Sequence, residues 1–515
     1  MRLIVAEKIG FNEPIYKTLQ TIGIQLITLN LILFDDEDSN MMPYFFTILD
    51  QCPNILNLKY GGSGMLTDDE DDFWRTRTSH RLDTLFLQCS YLSHGALELV
   101  LRKCTRIKIL NLSAEVVEGG TDICKSIEEY GINLDTFCFN MDDIPYRQEL
   151  ALIKQEERRD FNKKYDILLL QQQRQNQYYN DSDFTTTTTS TTTIAQNQHH
   201  LSYLRVTDEI YWPPTLVPLL SAHCKTLVEL DMPLRVLPGA EFSHQIRALG
   251  QISFPSLRKL SIREVQRTHR TVTEIVNRCD KLKTLCLSFA DEESAKYVLN
   301  SVALSLEQLQ GQNNNNTIEE LQIMAYDDKI YYHESASRHI LMDTALVTLF
   351  QACHTRHKQE TINLLSLQKI VFAGLDFSDF SSLGRPTVYF DALSLMASLS
   401  TIRYIKIIQV IIPKTLLNRF ARTLQETGVL EELQLTNLGK DAIDDGSIKL
   451  FGSITSLKTI SLGGLISITD NCLEYLGNND DNSLQTLLIT DCPFITQFGL
   501  RGIQDRIPHI VLNNY

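Results

Sequence analysis

The chain lacks a long, uninterrupted run of apolar residues. The apolar residues near its start, Leu3-Ile4-Val5-Ala6, are too few for the core of a signal peptide. The most apolar later stretch, 404–412, is interrupted by Lys406 and Gln409. We therefore expect neither export nor a membrane-spanning segment, and no membrane partner.

Clustered cysteines are also absent. Eleven cysteines in 515 residues are an odd number without dense clustering, which argues against a disulfide framework. Reduced, buried thiols suit a protein of the cytoplasm or the nucleus.

Positively charged residues are fewer than negatively charged ones. The chain has 48 Lys and Arg and 63 Asp and Glu, which gives a net charge of −15. That balance argues against general binding to nucleic acid or to an anionic membrane surface.

A short unit occurs twice within 457–500. The first copy reads Leu457, Ile460, Leu462 and then Ile468-Thr469-Asp470, and the second begins at Leu484. The distance from Leu457 to Leu484 is typical of a leucine-rich repeat, and so is the LxxLxL pattern with which each copy begins, here called its head. Each unit of such a repeat supplies one strand and one helix. The sequence predicts an α/β fold: a right-handed leucine-rich-repeat solenoid (horseshoe) with a concave parallel β-sheet and convex helices.

Similar heads run along most of the chain and divide it into blocks. Heads at Leu26, Ile55, Leu82, Ile107 and Leu134 follow one another at nearly even spacing, whereas the gap to the next head, Leu201, is more than twice as long. We predict an N-terminal repeat block over 1–146 and a C-terminal block over 201–515. Between them, 147–200 is predicted to be an inserted charged helix followed by a disordered Gln/Thr-rich loop, since polar tracts bury too little apolar area to fold. Smaller inserts are predicted near 305–317 and 326–363.

Cysteine recurs at one fixed point of the repeat. Four cysteines stand at the third position before a strand head, where a small buried side chain fits: Cys52, Cys104, Cys224 and Cys279. With Cys492 just after a strand and Ile468-Thr469-Asp470 opening a helix, the chain resembles the cysteine-containing class of leucine-rich repeats. That class is best known from F-box/leucine-rich-repeat proteins, the substrate-recognition subunits of SCF ubiquitin ligases. The resemblance implies a receptor that presents protein substrates for ubiquitination.

The F-box itself is not evident. This helical module precedes the repeats and is usually entered through a Leu-Pro pair, whereas only the short segment 1–25 precedes the first head here and Glu13-Pro14 is a poor match. Either the F-box was lost or the chain starts downstream of it, in which case an upstream F-box would bind the SCF linker subunit. One alternative is a scaffold without a ubiquitin role. Another is a GTPase regulator resembling the Ran GTPase-activating proteins, although the chain ends at Tyr515 without their acidic tail.

Motifs that could carry chemistry have simpler interpretations. Gly61-Gly62-Ser63-Gly64 lacks the Lys of a P-loop and precedes an acidic run at 68–72, so we interpret it as a flexible turn. Cys353-His354 with His357 offers too few ligands for a structural zinc site and is interpreted as a helix end. No catalytic constellation emerges, and we expect a binding protein with no cofactor or metal, not an enzyme.

The residues between the strand leucines are the candidate site. In LxxLxL the leucines point into the core and the intervening residues line the concave side. Opposite charges there can pair across strands, as Glu229 would with Lys259, and such pairing has a purely structural explanation. The functional interpretation is a protein-binding surface bearing Tyr and Arg, the residue types enriched in binding hot spots. Its predicted residues are Tyr203, Arg205, Glu229, Asp231, Lys259, Arg263, Lys369, Tyr404, Lys406 and Glu432.

Overall fold

The computed structural model describes the chain in segments. These are residues 2–6, 13–33, 40–62, 64–68, 80–117, 123–131, 133–140, 200–206, 216–235, 240–266, 268–308, 318–325, 340–341, 343–358, 367–377, 391–439, 441–477 and 484–513. The predicted insert at 147–200 falls outside these segments except for its last residue, as do 309–317 and 326–339.

The chain forms two compact units, residues 1–135 with 139–200 and residues 136–138 with 201–515. The first holds the strands β1 Arg2–Ala6, β2 Thr28–Leu33, β3 Asn57–Gly62, β4 Met65–Leu66, β5 Thr84–Leu92 and β6 Ile109–Val117. Its helices are α1 Glu13–Ile22, α2 Met42–Gln51, α3 His94–Lys103 and α4 Ile123–Tyr130. Strand β7, Thr136–Asn140, lies at the division.

The second unit continues the alternation of strand and helix. Its strands are β8 Tyr203–Val206, β9 Glu229–Arg235, β10 Lys259–Gln266, β11 Thr284–Phe289, β12 Glu320–Ala325, β13 Ile340–Leu341, β14 Lys369–Ala373, β15 Leu375–Asp376, β16 Tyr404–Ile408, β17 Glu432–Thr436, β18 Thr459–Gly463, β19 Thr486–Thr490 and β20 His509–Asn513. Its helices are α5 Leu216–His223, α6 Ala240–Gln251, α7 His269–Asn277, α8 Glu292–Gln308, α9 Asp343–Lys358, α10 Ala392–Ala397, α11 Lys414–Thr427, α12 Asp445–Gly452, α13 Asn471–Gly477 and α14 Gln497–Arg501.

The strand leucines stand side by side in parallel register. In the first unit Leu29 pairs with Leu58, Leu58 with Leu85, and Leu85 with Leu110. In the second unit the same position runs unbroken through Leu204, Leu230, Leu260, Leu285, Leu321, Ile370, Ile405, Leu433, Ile460, Leu487 and Ile510. Each unit is therefore an α/β leucine-rich-repeat solenoid, as the sequence predicted.

The helices cover the other side of this core. In α11 the buried residues Leu416, Leu417, Phe420 and Leu424 recur at helical spacing, which places them on one helix face. The helix ends at Gly428, whose left-handed φ of 62° lets its N–H donate to the carbonyl of Leu424. No helix in the described segments is both long and apolar enough to cross a membrane.

Several strands of the second unit are followed directly by a residue with positive φ. After β14, β16, β17, β18 and β19 these residues are Gly374, Gln409, Asn437, Gly464 and Asp491. Gly, Asn and Asp tolerate this backbone region best. Each of the five donates its N–H to a carbonyl of the next repeat, so the hydrogen-bonded stack extends beyond the strands.

A second stack joins the helix starts near the C-terminus. The carboxylate of Asp445 accepts hydrogen bonds from the backbone N–H and the hydroxyl of Thr469, at 2.7 and 2.6 Å. One repeat later, Asp470 accepts the same two bonds from Thr496, at the same distances. The hydroxyl of Thr496 in turn accepts from the N–H of Gly499 in the first turn of α14. Thr469 and Asp470 of the Ile-Thr-Asp motif thus couple the start of α13 to the repeats before and after it.

Three of the four predicted cysteines occupy the buried position before a strand. Cys52, Cys104 and Cys279 are buried, whereas Cys224 is half-buried. Burial raises the pKa of the Cys52 thiol to about 11 and those of Cys104 and Cys279 to about 12. These thiols are neutral core residues at pH 7.

Two sequence interpretations need revision or detail. Gly61 and Gly62 are the last residues of β3 and not part of a turn, because the β3–β5 pairing extends to Gly61 opposite Gln88. A Cβ on Gly61 would lie 3.0 Å from the Cβ of Gln88, so the small residue permits the close approach of β3 to the Gln88 side chain.

Within the predicted insert at 326–363, residues Asp343–Lys358 form helix α9, which includes Cys353, His354 and His357.

Candidate functional site

The ten predicted site residues lie on one side of the sheet in the second unit. They come from strands β8, β9, β10, β14, β16 and β17, at the positions that alternate with the buried leucines. We call the open face the residues at the third and fifth positions of the LxxLxL heads that form the eight neighbouring strands β8, β9, β10, β11, β12, β14, β16 and β17, together with Arg263. The side chains of the strand leucines point the other way, toward the helices.

The first group on the open face is a carboxylate between two guanidinium groups. Asp231 of β9 forms an ion pair with Arg205, whose Nε lies 3.2 Å from Oδ2, and accepts a hydrogen bond from Arg263 Nε at 3.0 Å through Oδ1. Arg263 also donates from Nη2 to the backbone carbonyl of Val206, at 2.5 Å. The Arg263 side chain therefore reaches from β10 across β9 to β8. We call this group the arginine cluster: Arg205, Asp231 and Arg263.

Glu229 and Lys259 lie beside the arginine cluster as a looser pair. The predicted contact is present, with Lys259 Nζ 3.7 Å from Glu229 Oε2. The two residues are directly opposite in the β9–β10 register, and both side chains are more than a third exposed. An exposed pair at this separation stabilises the fold by less than about 1 kcal/mol.

Strand β11, in the middle of the open face, has no charged side chain at its open-face positions. Its residues at the open-face positions are Thr284 and Cys286, and Cys286 is only 5% exposed. Burial, with a smaller contribution from Glu320, raises the pKa of the Cys286 thiol to about 12. The thiol therefore stays protonated between the two charged halves of the face.

The second charged group connects four strands. Glu320 Oε1 of β12 accepts from Lys369 Nζ at 2.8 Å and from Gln322 Nε2 at 2.6 Å. Lys369 Nζ of β14 also lies 5.1 Å from the ring centroid of Tyr404 on β16, a cation–π contact. The hydroxyl of Tyr404 in turn donates to Gln434 Oε1 at 3.5 Å. We call Glu320, Gln322, Lys369, Tyr404 and Gln434 the tyrosine network.

The pKa shifts in the tyrosine network follow these contacts. Burial acts to raise the pKa of Glu320, but the hydrogen bonds from Lys369 and Gln322 outweigh it and the pKa is lowered. The hydrogen bond to Glu320 raises the pKa of Lys369. Burial raises the pKa of Tyr404. At neutral pH the network is therefore an ion pair beside a neutral phenol.

Lys406 and Glu432 complete the predicted set. They occupy the fifth position of the LxxLxL head that includes β16 and the third position of the head that includes β17. Neither forms an ion pair with another residue in the described segments. These two charges are available to a partner without first breaking an ion pair in the described segments.

A separate set of ion pairs lies at the residue before each strand. Glu431 contacts Arg403 at 3.3 Å and Lys458 at 2.7 Å, and Lys283 contacts Glu319 at 2.6 Å. Hydrogen bonding to Lys458 lowers the pKa of Glu431. These pairs lie along the edge of the sheet at which the strands begin, outside the open face.

Sequence reasoning missed part of the tyrosine network as site residues. Glu320, Gln322 and Gln434 occupy third and fifth positions of their LxxLxL heads, so the repeat alignment already placed them on the open face. The available signal was cross-strand complementarity, since Glu320 stands directly opposite Lys369 in the register. In the part of the chain that the structure describes, no group of three or more His, Cys, Asp or Glu side chains is arranged to hold a metal ion.

No protein-family model matches the chain, and no curated protein matches it. Similar solved structures include TLR13 in its complex with ssRNA13, at 12% identity over 100% of this chain and 62% of that chain, with a TM-score of 0.38. A Leptospira interrogans LRR protein is 14% identical over 99% of this chain and 100% of its own, with a TM-score of 0.32. The yeast complex of Rad7 and Elc1 gives 11% identity over 94% of this chain and 90% of that one, with a TM-score of 0.35. The fold assignment therefore depends on the register of this chain's own strands.

Proposed function

We propose that the protein is an interaction receptor and that the open face binds a protein segment. The observation that carries this proposal is the continuity of the face, because eight neighbouring parallel strands lie in register and seven of them, all but β11, present charged, amide or tyrosine side chains on it. Arginine and tyrosine are the residue types most enriched in binding hot spots.

The internal contacts of the face favour binding over stabilisation of the fold. Its ion pairs are partly exposed, and such pairs contribute less than about 1 kcal/mol each. They do hold long side chains in defined positions before a partner arrives, which reduces the entropy lost on association. The arginine cluster and the tyrosine network are therefore preorganised binding elements.

The dimensions of the face suit a protein partner. Seven steps between neighbouring strands at about 4.8 Å give a length of roughly 34 Å, and a five-residue strand is about 17 Å long. The product, roughly 600 Å² before side-chain relief is counted, is comparable to the ~800 Å² that one partner buries in a standard interface. An extended segment of about ten residues would span the face.

The more specific proposal is the substrate-recognition part of an SCF ubiquitin ligase. Its support is the resemblance in the cysteine positions and in Ile468-Thr469-Asp470 to F-box/leucine-rich-repeat proteins. A scaffold without a ubiquitin role is the alternative. We propose the cytoplasm or the nucleus as the compartment, because all eleven cysteines are free thiols.

The binding proposal is tested by site-specific crosslinking. A photo-crosslinking amino acid replaces Lys406 on the open face in one variant of the full chain and Arg422, exposed on α11, in the control variant. We expect a discrete crosslinked protein from position 406 and not from position 422, and we expect Lys369→Glu to weaken its capture at least tenfold. Identical crosslinks from both positions, or none from position 406, would refute the open face as the binding surface.

The ubiquitin proposal is tested separately with the full-length gene product. If the product is a ligase subunit, it should retain the purified SCF linker subunit on an affinity matrix. A product that binds its crosslinked partner but not the linker subunit is a scaffold.

A further inference from the structure

The arginine cluster holds more positive than negative charge. With the adjoining pair it contains three cations, Arg205, Arg263 and Lys259, and two carboxylates, Asp231 and Glu229. Both oxygens of Asp231 are already engaged, one by each guanidinium group. The site therefore carries a surplus of one positive charge on a chain whose net charge is −15.

The free donors of the cluster belong mainly to Arg205. Its side chain is 47% exposed, compared with 24% for Arg263 and 20% for Asp231. Arg205 contacts Asp231 through Nε, and within the described segments neither of its Nη atoms has a hydrogen-bond partner. Arg263 is held from two sides, by Asp231 and by the carbonyl of Val206. Arg205 therefore has a fixed inner edge and an outer edge that can donate two parallel hydrogen bonds.

From this geometry we propose that Arg205 is the anchor of a carboxylate subsite, which takes an Asp or Glu side chain of the protein segment bound on the open face. The inference rests on the proposed function and specifies the partner's chemistry. A planar guanidinium edge matches a carboxylate in a bidentate contact. The single surplus charge is balanced by one carboxylate.

A phosphorylated residue fits the subsite less well. A phosphate carries a charge of about −1.5 to −2 at pH 7, more than the surplus can balance, and it would approach the Asp231 and Glu229 carboxylates. The negative net charge of the chain does not oppose a carboxylate at close range, because exposed charges beyond about 8–10 Å are largely screened at physiological salt. The local surplus of one positive charge therefore favours a carboxylate over a phosphate at this subsite.

The test uses decapeptide pools, since an extended peptide of this length spans the face. In each pool the fifth residue is Glu, Gln, Lys or phosphoserine, and the other nine positions are mixtures of uncharged residues. Binding to the full chain is measured by fluorescence anisotropy. We expect the Glu pool to bind at least tenfold more tightly than the Gln pool and more tightly than the phosphoserine pool.

Charge reversal makes the assignment specific to Arg205. Arg205→Glu should abolish the preference for Glu and create one for Lys, a gain that a misfolded variant could not show. Arg422→Glu on α11 is the matched control and should leave the Glu preference unchanged. If Arg205→Glu does not fold, Arg205→Gln should lose the Glu preference while keeping the wild-type melting temperature.

Three results would overturn the subsite. These are equal binding of the Glu and Gln pools, tighter binding of the phosphoserine pool, and no binding of any pool to the folded chain. Crosslinking from position 406 distinguishes the proposed binding surface from the proposed carboxylate subsite. A partner captured there, together with equal Glu and Gln pools, would leave the open face as the binding surface and remove only the carboxylate subsite.

Discussion

Adjacent leucines in β19 provide a direct test of the strand register. Leu487 is 0% exposed and lies between Ile460 and Ile510 in the core, whereas Leu488 is half-buried on the opposite side of the strand, between Ser461 and Val511. Because strand side chains alternate, a register shifted by one residue would exchange the two environments. Matched substitutions at both positions therefore decide between the two registers.

The expected magnitudes differ several-fold. Leu487→Ala removes a fully buried side chain and should cost about 2–5 kcal/mol, the range for core Leu→Ala changes. Leu488→Ala should cost less than about 1 kcal/mol. Leu487→Asp loses about 1.5–3 kcal/mol of apolar burial and also buries a carboxylate without a partner, so its total cost should exceed about 5 kcal/mol. That is enough to unfold the last repeats.

Native-state hydrogen exchange read by mass spectrometry is the suitable assay, because repeats in a solenoid can open locally. In Leu487→Asp we expect lost protection over 457–513 and retained protection in the repeats around β8 to β12. Leu488→Asp should keep the wild-type pattern. Equal damage from the two substitutions, or cooperative melting of the C-terminal repeats in Leu487→Asp, would refute the assigned register.

Two further predictions concern polar contacts. Asp470→Ala removes both hydrogen bonds from Thr496 and should lower the unfolding free energy of the C-terminal repeats by about 1.5–3 kcal/mol in urea titration. A cost below about 0.5 kcal/mol would mean that the stack of helix starts is incidental. Because the pKa of Glu320 is lowered in the folded state, its ionised form stabilises the fold above the unfolded pKa of about 4.3, and this contribution is lost as pH falls through the folded pKa. Glu320→Gln should therefore show a smaller drop in Tm on acidification than wild type, and an unchanged acid limb would contradict the assigned Lys369–Glu320 pair.

The repeat register could be predicted from sequence because each unit repeats the same physical requirement. A leucine at the head of one strand is buried only if the next strand presents an apolar side chain at the same height, so spacing alone aligns Leu433, Ile460 and Leu487. The open face followed from the same alternation. The Glu229–Lys259 pair was predicted because it joins two directly opposed residues.

Contacts that depart from this simple opposition could not be predicted. Arg263 pairs with Asp231 although its register partner is Pro233, because a long side chain can reach diagonally and then across to Val206. Tyr404 likewise reaches diagonally, because its register partner on β17 is Glu432 and its hydroxyl donates to Gln434. The burial of Cys286 likewise depends on the neighbouring side chains and not on its position in the repeat.

The sequence by itself determined the solenoid, its period, its buried leucines and the set of residues on the open face, because these depend on alternation and spacing along the chain. Only the tertiary structure decided which of those charges pair diagonally or converge on one partner and which remain without an ion pair. Arg205 and Arg263 converge on a single carboxylate, and Lys406 and Glu432 find no ion-pair partner in the described segments. That outcome depends on how long side chains cross between strands about 4.8 Å apart, and spacing along the chain does not record it.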